Sequence, residues 1–394
     1  MKRAPFASWI NNSNEITRLF LEAGQIPNLI NLAGGLPEPS TYPVTELADI
    51  AAQAITQHPQ ETLSYGPIEG LPSLRDAIAD RFSKPTLKLK RKNILIVTAG
   101  MQALDLTGKV MLNQRGCVAV QNPTYLGALD AWRPRNPTYV SMNLDDNDFD
   151  PQVALKGAQF AYTVPNFSNP TGSLVSLESR KKLVKAANDC GTWLVEDDPY
   201  AALYYDGAPI TSMLEISADS QSDHYQGPVV YMGTLSKEIA PGLRLGWVIA
   251  APEMIKAMTV AKQGSDMCTS GLIQEIALRA INDGLLEKVL PKIISTYKSR
   301  RDALCASMEK HLSNYLTWEI PVGGMFVWAV AKDPKLNTDE LFRSALDEGV
   351  CITPSSVFDP EGKDRRAMRI NFTLNPPETL DEGVRRLAVS IEGL

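Results

Sequence analysis

The sequence predicts an α/β fold, with a mostly parallel sheet between helices and a smaller α+β domain towards the C-terminus. Short apolar runs recur between residues 93 and 249, near-continuous rather than alternating, as in strands covered on both faces. Helix-like segments fall between several of them, which favours parallel crossovers. After about residue 280 the pattern changes, and long amphipathic stretches surround two isolated strand-like runs.

Taken in order, strands are expected at 93–97, 118–120, 160–164, 192–195, 229–232 and 246–249, with helices at 101–112, 124–133 and 176–190. In 176–190, Leu177, Leu183, Val184 and Ala187 recur near helical spacing, and Glu178, Arg180, Lys181, Lys182 and Lys185 are assigned to a solvated face. A helix over 282–312 carries Leu286, Val289, Leu290, Ile293, Ile294 and Tyr297 on one side, with Pro291 as a candidate kink. Strands at 324–330 and 367–372 and helices near 338–348 and 378–391 complete the chain. The 394 residues, at ~150 per domain, suggest two or three domains. The expected division is an N-terminal segment, 1–40, packing with the small domain, a large domain over 41–285 and a small C-terminal domain over 286–394.

Composition excludes several functions. The net charge of −6 and the absence of a dense basic stretch argue against a nucleic-acid or anionic-membrane surface. His58, His224 and His311 lack a second His or Cys pair at ligand spacing, against a zinc enzyme or a Ser-His-Asp hydrolase. Five scattered cysteines without a CxxC read as buried thiols in a reducing compartment. The N-terminus has no apolar signal-peptide core, and no apolar run approaches the ~20 residues of a membrane span, so a cytoplasmic protein is expected.

Four patches lie at or just beyond the C-terminal ends of expected strands, where open α/β sheets bind ligands. In Val97-Thr98-Ala99-Gly100-Met101-Gln102 a strand passes into a helix, and the amides of Gly100, Met101 and Gln102 suit a phosphate; a tight turn is the plainer reading. In Pro165–Gly172, Asn169 is held by Pro170 and offers a hydrogen bond to a ligand oxygen, although the composition is also that of a simple loop. Glu196-Asp197-Asp198 close an apolar strand and need partners or water. Alternation turns Asp197 away from its two acidic neighbours, aimed at a cationic ligand nitrogen; a metal site is the rival. Finally, Thr234, Ser236, Lys237 and Arg244 are placed to bind a phosphate and a carbonyl together. Desolvation and the nearby arginine would favour a neutral, nucleophilic lysine.

Asn-Pro-Thr-Gly at 169–172, Asp-x-Pro-Tyr at 197–200 and Ser-Lys at 236–237 followed by Pro-Gly-x-Arg-x-Gly at 241–246 resemble, in order and spacing, the fold-type I pyridoxal-phosphate aminotransferases of class I/II. Asn31-Leu32-Ala33-Gly34-Gly35-Leu36-Pro37 and Tyr65-Gly66-Pro67-x-x-Gly70 resemble the aminoadipate/kynurenine branch, related to the effector domain of MocR-type regulators. The resemblance spans about residues 13–390.

The resemblance implies the fold-type I architecture, with a mostly parallel mixed sheet, and pyridoxal 5′-phosphate as cofactor. Lys237 would form the aldimine and act as acid/base, and Asp197 would keep the pyridine nitrogen protonated. Asn169 and Tyr200 would bond the ring 3′-oxygen, and Tyr125 would stack on the ring. Gly100, Met101, Gln102, Thr234, Ser236 and Arg244 would hold the phosphate, with Tyr65 reaching the neighbouring subunit's phosphate in a homodimer with shared active sites. Arg369 would clamp the substrate α-carboxylate, with Asn169 and Gly35 also binding the substrate. Relatives selective for dicarboxylic substrates place an arginine where Thr17 falls; Arg18 is adjacent, but one residue is ~100° of helix rotation. The implied activity is ping-pong transfer of an amino group from an aromatic, branched-chain or aminoadipate-like L-amino acid to a 2-oxo acid such as 2-oxoglutarate. The rivals are a β-lyase or decarboxylase on the same cofactor, and a ligand sensor. Against a sensor, only ~30 residues precede Gly34-Gly35, too few for a DNA-binding domain.

Overall fold

The computed structural model describes residues 6–12, 26–146 and 148–394. Its larger sheet has seven strands in the order Ile94–Val97, Gly246–Ile249, Val229–Thr234, Trp193–Asp197, Phe160–Thr163, Cys117–Gln121 and Thr138–Met142. Gly246–Ile249 runs antiparallel to both neighbours, and the remaining pairs are parallel. The connection 235–245 holds only the short 3-10 turn Pro241–Leu243, which leaves no helix for a parallel crossover. The expected strands are all present. Thr138–Met142 was missed because it is a largely exposed edge strand and shows no apolar run.

Strand alternation sorts the side chains into two layers. Leu95, Val97, Val118, Val120, Phe160, Tyr162, Val195, Val230 and Met232 face one core, which continues into the C-terminal elements. Ile94, Ile96, Ala119, Ala161, Leu194, Val229, Tyr231, Trp247 and Ile249 face the other. Helices Val44–Gln57, Pro72–Phe82, Pro252–Gln263 and Gly271–Asn282 join those expected from periodicity.

The helix Leu177–Cys190 starts at Ser176, whose side chain accepts from the Ser179 amide, and ends at Gly191 in the left-handed region. Lys181, Lys182 and Lys185 are exposed, but Arg180 is fully buried, contrary to its assignment to the solvated face. Its spacing of four and seven from Val184 and Ala187 puts it on the buried stripe, and loop carbonyls beneath the helix satisfy its charge.

The smaller, antiparallel sheet has the order Thr353–Pro354, Ala367–Asn371, Phe326–Ala331 and Leu316–Trp318. Helix Leu285–Leu312 contains Pro291 and packs on Pro377–Glu392. Ile30–Asn31 pairs in parallel with Val350–Cys351, and the Asn371 amide donates to the Leu32 carbonyl at 2.6 Å. Residues 30–36 are thus laced to the smaller sheet. All five cysteines are free, but only Cys305 and Cys351 are buried; Cys190 is exposed at a helix end, and Cys117 and Cys268 are partly covered. Among the described residues no helix is long and apolar enough to cross a membrane, and no cluster of metal-ligating side chains forms.

Candidate active site

A cavity of about 370 Å³ opens at the C-terminal ends of the parallel strands. Gly35, Gly100, Met101, Tyr125, Asn169, Asp197, Tyr200, Thr234, Ser236, Lys237, Arg244 and Arg369 all reach its wall, so the four patches converge on one site with the late-strand arginine.

Asp197 ends Trp193–Asp197 on the cavity side. The Tyr162 hydroxyl donates to its Oδ2 at 2.7 Å, while burial pushes the carboxyl up to about 7. The other two acids turn to the opposite face, as alternation requires. Glu196 accepts from the Met213 and Leu214 amides at 2.9 and 2.8 Å. Asp198 accepts from Asn166 Nδ2 at 2.9 Å and from the Tyr231 hydroxyl at 3.2 Å. Burying three consecutive acids is sustainable because each has its own donors.

Lys237 follows the strand Val229–Thr234, and its Nζ donates to the Gly35 carbonyl at 2.7 Å. Burial first, then the Arg369 and Arg244 charges, lower its pKa to about 8. Thr234 Oγ1 donates to the Leu245 carbonyl at 2.9 Å and accepts from the Ser236 amide at 3.1 Å. With the threonine proton committed, Ser236 is the donor in the 2.9 Å contact between the two hydroxyls, and its proton reaches a ligand in the cavity by rotating away from Thr234. Arg244 lies exposed at the rim, its Nη1 donating to the Pro241 carbonyl at 3.1 Å.

The helix Ala99–Met111 starts directly behind Thr98, with Ala99 at φ 62°. Its backbone lies against Gly246, where a Cβ would stand 3.2 Å from the Ala99 Cα. Space is open above Gly100, with no atom within 4 Å of a Cβ placed there. Gly100 and Met101 lie within the first three positions of the helix, whose amides lack intrahelical partners. Gln102 departs from expectation. As the fourth helical residue its amide is used by the Thr98 carbonyl, and its Oε1 accepts from the Thr98 amide at 2.8 Å. It braces the turn and does not line the cavity.

Arg369 forms the far wall. Its guanidinium lies 4.4 Å from the Phe326 ring and 4.8 Å from the Phe358 ring. Nη1 donates to Asn169 Oδ1 at 2.6 Å, Nη2 donates to the Ala33 carbonyl at 2.5 Å, and Nε is buried with no partner. Burial lowers its pKa to about 10, still charged at neutral pH. Gly35 is small because a Cβ there would meet Phe326 Cζ at 2.8 Å. Tyr200 packs edge-on to Phe326, and the Tyr125 hydroxyl lies 3.7 Å from Met101 Sδ.

Tyr65 is 88% exposed and does not reach this cavity. Thr17 and Arg18 lie outside the described residues. Sequence reasoning missed Tyr162, Phe326 and Phe358. The signal for Tyr162 was its place on the strand next to Asp197, on the same face by alternation.

The family of class I and II aminotransferases matches residues 27–387, nearly the whole chain. This chain belongs to that family. The aminotransferase is 35% identical to aromatic-amino-acid aminotransferase 1 of Thermococcus litoralis, over 96% of this chain and 92% of that one. It is 33% identical to 2-aminoadipate transaminase of Thermus thermophilus, over 96% and 94%. Its structure matches that of Pyrococcus horikoshii kynurenine aminotransferase, solved in complex with PMP, with a TM-score of 0.90 and 33% identity over 98% and 97% of the two chains. A helix-turn-helix transcriptional regulator of Bacillus subtilis, YisV, is also related, at 28% identity over 83% of this chain. The aminotransferase has the type I fold, and its cofactor is pyridoxal phosphate.

Proposed function

We propose that this aminotransferase moves the amino group of an aromatic, branched-chain or aminoadipate-like L-amino acid to a 2-oxo acid such as 2-oxoglutarate, in ping-pong half-reactions, as a cytoplasmic homodimer with shared active sites. The observation that carries this reading is one cavity whose wall holds both a lysine amine of depressed pKa and the buried guanidinium of Arg369. With no carboxylate paired to it among the described residues, a buried guanidinium is costly until an anionic ligand pairs with it.

The site fits pyridoxal phosphate. The amides of Gly100 and Met101 beneath open space, the Ser236 hydroxyl and the Arg244 guanidinium suit its phosphate. Asp197 suits the protonated ring nitrogen, Asn169 and Tyr200 the ring oxygen, and Tyr125 a ring face. When bound, the cofactor supplies an aldehyde that takes up the amino group and an electron-poor ring. Lys237 would hold that aldehyde through its Nζ and, when freed by the incoming amino group, would take the substrate Cα proton at the same atom. Arg369 holds the α-carboxylate in place, which favours cleavage of the Cα–H bond over loss of carbon dioxide. Leu36, Leu104, Leu126 and Val164 make an apolar remainder of the wall, suited to an aromatic or branched side chain. Tyr65 and Leu63, 88% and 67% exposed in the single chain, support a dimer.

The test is an absorbance screen of the purified holoenzyme, adding each amino acid without an acceptor. Conversion of the cofactor to its pyridoxamine form by aromatic or branched-chain donors is expected, with Lys237→Ala losing turnover by orders of magnitude. An aminoadipate or glutamate response that disappears in Arg18→Ala would assign the side-chain carboxylate to that residue. A normally loaded enzyme that no donor converts would overturn the reading in favour of a lyase or a sensor.

A further inference from the structure

We propose that Tyr162 is a positioning residue for this reaction, its hydroxyl holding one oxygen of Asp197 so that the other faces the cavity as a carboxylate. The inference rests on the reading of Asp197 as the partner of the ring nitrogen. Tyr162 lies on Phe160–Thr163, directly opposite Val195 of the neighbouring parallel strand, so alternation brings it to the same face as Asp197. Its hydroxyl donates to Asp197 Oδ2 at 2.7 Å, and among the described residues no other group donates to that carboxylate. Oδ1 is left for a ligand, in a side chain that lines the cavity.

The hydroxyl is fixed before any ligand arrives. Tyr162 is fully buried, and its ring meets Trp132 edge-on with centroids 5.2 Å apart. Trp132 is tied by its Nε1 to the Leu104 carbonyl at 2.9 Å. It also lies over Gly108, where a Cβ would stand 2.6 Å from Trp132 Cδ1. The remaining groups facing Asp197 are the phenols of Tyr125 and Tyr200 and, across the strand, the Asp198 carboxylate, which opposes its charge. Burial drives the Asp197 carboxyl towards its neutral form, and Tyr162 is the one donor among the described residues that works against this. The phenol is itself held well above its ordinary pKa, so it stays a donor throughout the neutral range. Without it the proton shared between Asp197 and a ring nitrogen moves towards the carboxylate, and the ring loses the positive charge that draws electrons from the substrate.

The test loads the enzyme with pyridoxal phosphate carrying ¹⁵N in the ring and reads the ring-nitrogen chemical shift. Wild type is expected at the protonated position. In Tyr162→Phe the signal should move towards the unprotonated position, and kcat should fall roughly ten- to hundred-fold, as for loss of a hydrogen bond to a charged group, with KM for the donor little changed. Trp132→Phe, which thins the packing but keeps the hydroxyl, should leave the signal in place. If Tyr162→Phe does not fold, 3-fluorotyrosine at 162, a stronger donor of nearly the same size, should draw the shared proton further onto the nitrogen and move the signal beyond the wild-type position, away from the unprotonated one. A loaded Tyr162→Phe with the wild-type shift, or no response to fluorination, overturns the proposal. Failure of wild type to bind the cofactor, or an unchanged signal in Asp197→Asn, would instead break the underlying reading of the site.

Discussion

Arg180 and Arg369 are both almost completely buried, and they serve opposite purposes. Every N–H of Arg180 has an acceptor: Nε meets the Val175 carbonyl, Nη1 those of Ile210 and Thr211, and Nη2 the Pro165 carbonyl and Asn166 Oδ1. Its charge also favours the ionised forms of Glu196 and Asp198. Arg369 is stacked between two phenylalanines beside a cavity and keeps its Nε unpaired. Burial and charge are therefore no mark of a binding site. A buried guanidinium on a cavity wall with no carboxylate partner among the described residues is one, because the desolvation cost already incurred is recovered only when an anionic ligand pairs with it.

Three measurements sharpen or break that contrast. Arg369→Ala is expected to lower kcat/KM for all amino donors by roughly a hundred- to a thousand-fold, the usual penalty for removing one partner of a buried charge pair. A loss below tenfold in steady-state assays would place the carboxylate elsewhere. Arg180→Met should instead cost about 3–5 kcal/mol in denaturant unfolding, because Asp198 and several carbonyls lose their counterpart, with kcat per folded molecule close to wild type. A variant of normal stability but impaired kcat would remove the distinction between the two arginines.

The smallest expected effect is a gain. Burial holds Lys237 at about 8 against an ordinary 10.5, so between those values the unfolded chain binds more protons and stability rises with pH. Below pH 8 the cofactor-free protein carries the full penalty of a buried ammonium. Cofactor-free Lys237→Met should therefore be more stable than cofactor-free wild type at pH 7, by up to about 3 kcal/mol. The difference should close as pH climbs through 8 to 10.5. A pH-independent difference would show that the amine is not held neutral by its surroundings.

Local pattern made much of this legible. Doubly covered strands read as apolar runs, so the buried strands of the large sheet were found, and strand alternation alone separated Asp197 from Glu196 and Asp198. The edge strand Thr138–Met142 and the antiparallel direction of Gly246–Ile249 were not legible, because exposure erases the apolar signal and strand direction depends on the connecting chain. Charge made Arg180 read as exposed despite its periodicity, and adjacency to the turn made Gln102 read as a ligand when its side chain braces Thr98.

The sequence by itself determined the class of fold, the order of motifs at the strand ends and two of the chemical types brought to the site, one amine and one cavity-facing carboxylate. Those follow from residue identity and periods of 2 and 3.6, which are local properties, whereas the late-strand guanidinium was expected only from the resemblance to a known family. Only the tertiary structure decided which of these groups are already satisfied. Tyr162 reaches Asp197 from a neighbouring strand, Arg369 meets Asn169 from 200 residues away, and Gly35 receives the lysine amine across 202. Hydrogen-bond satisfaction and desolvation depend on the atoms within a few ångströms of a group, and here most of those belong to distant parts of the chain.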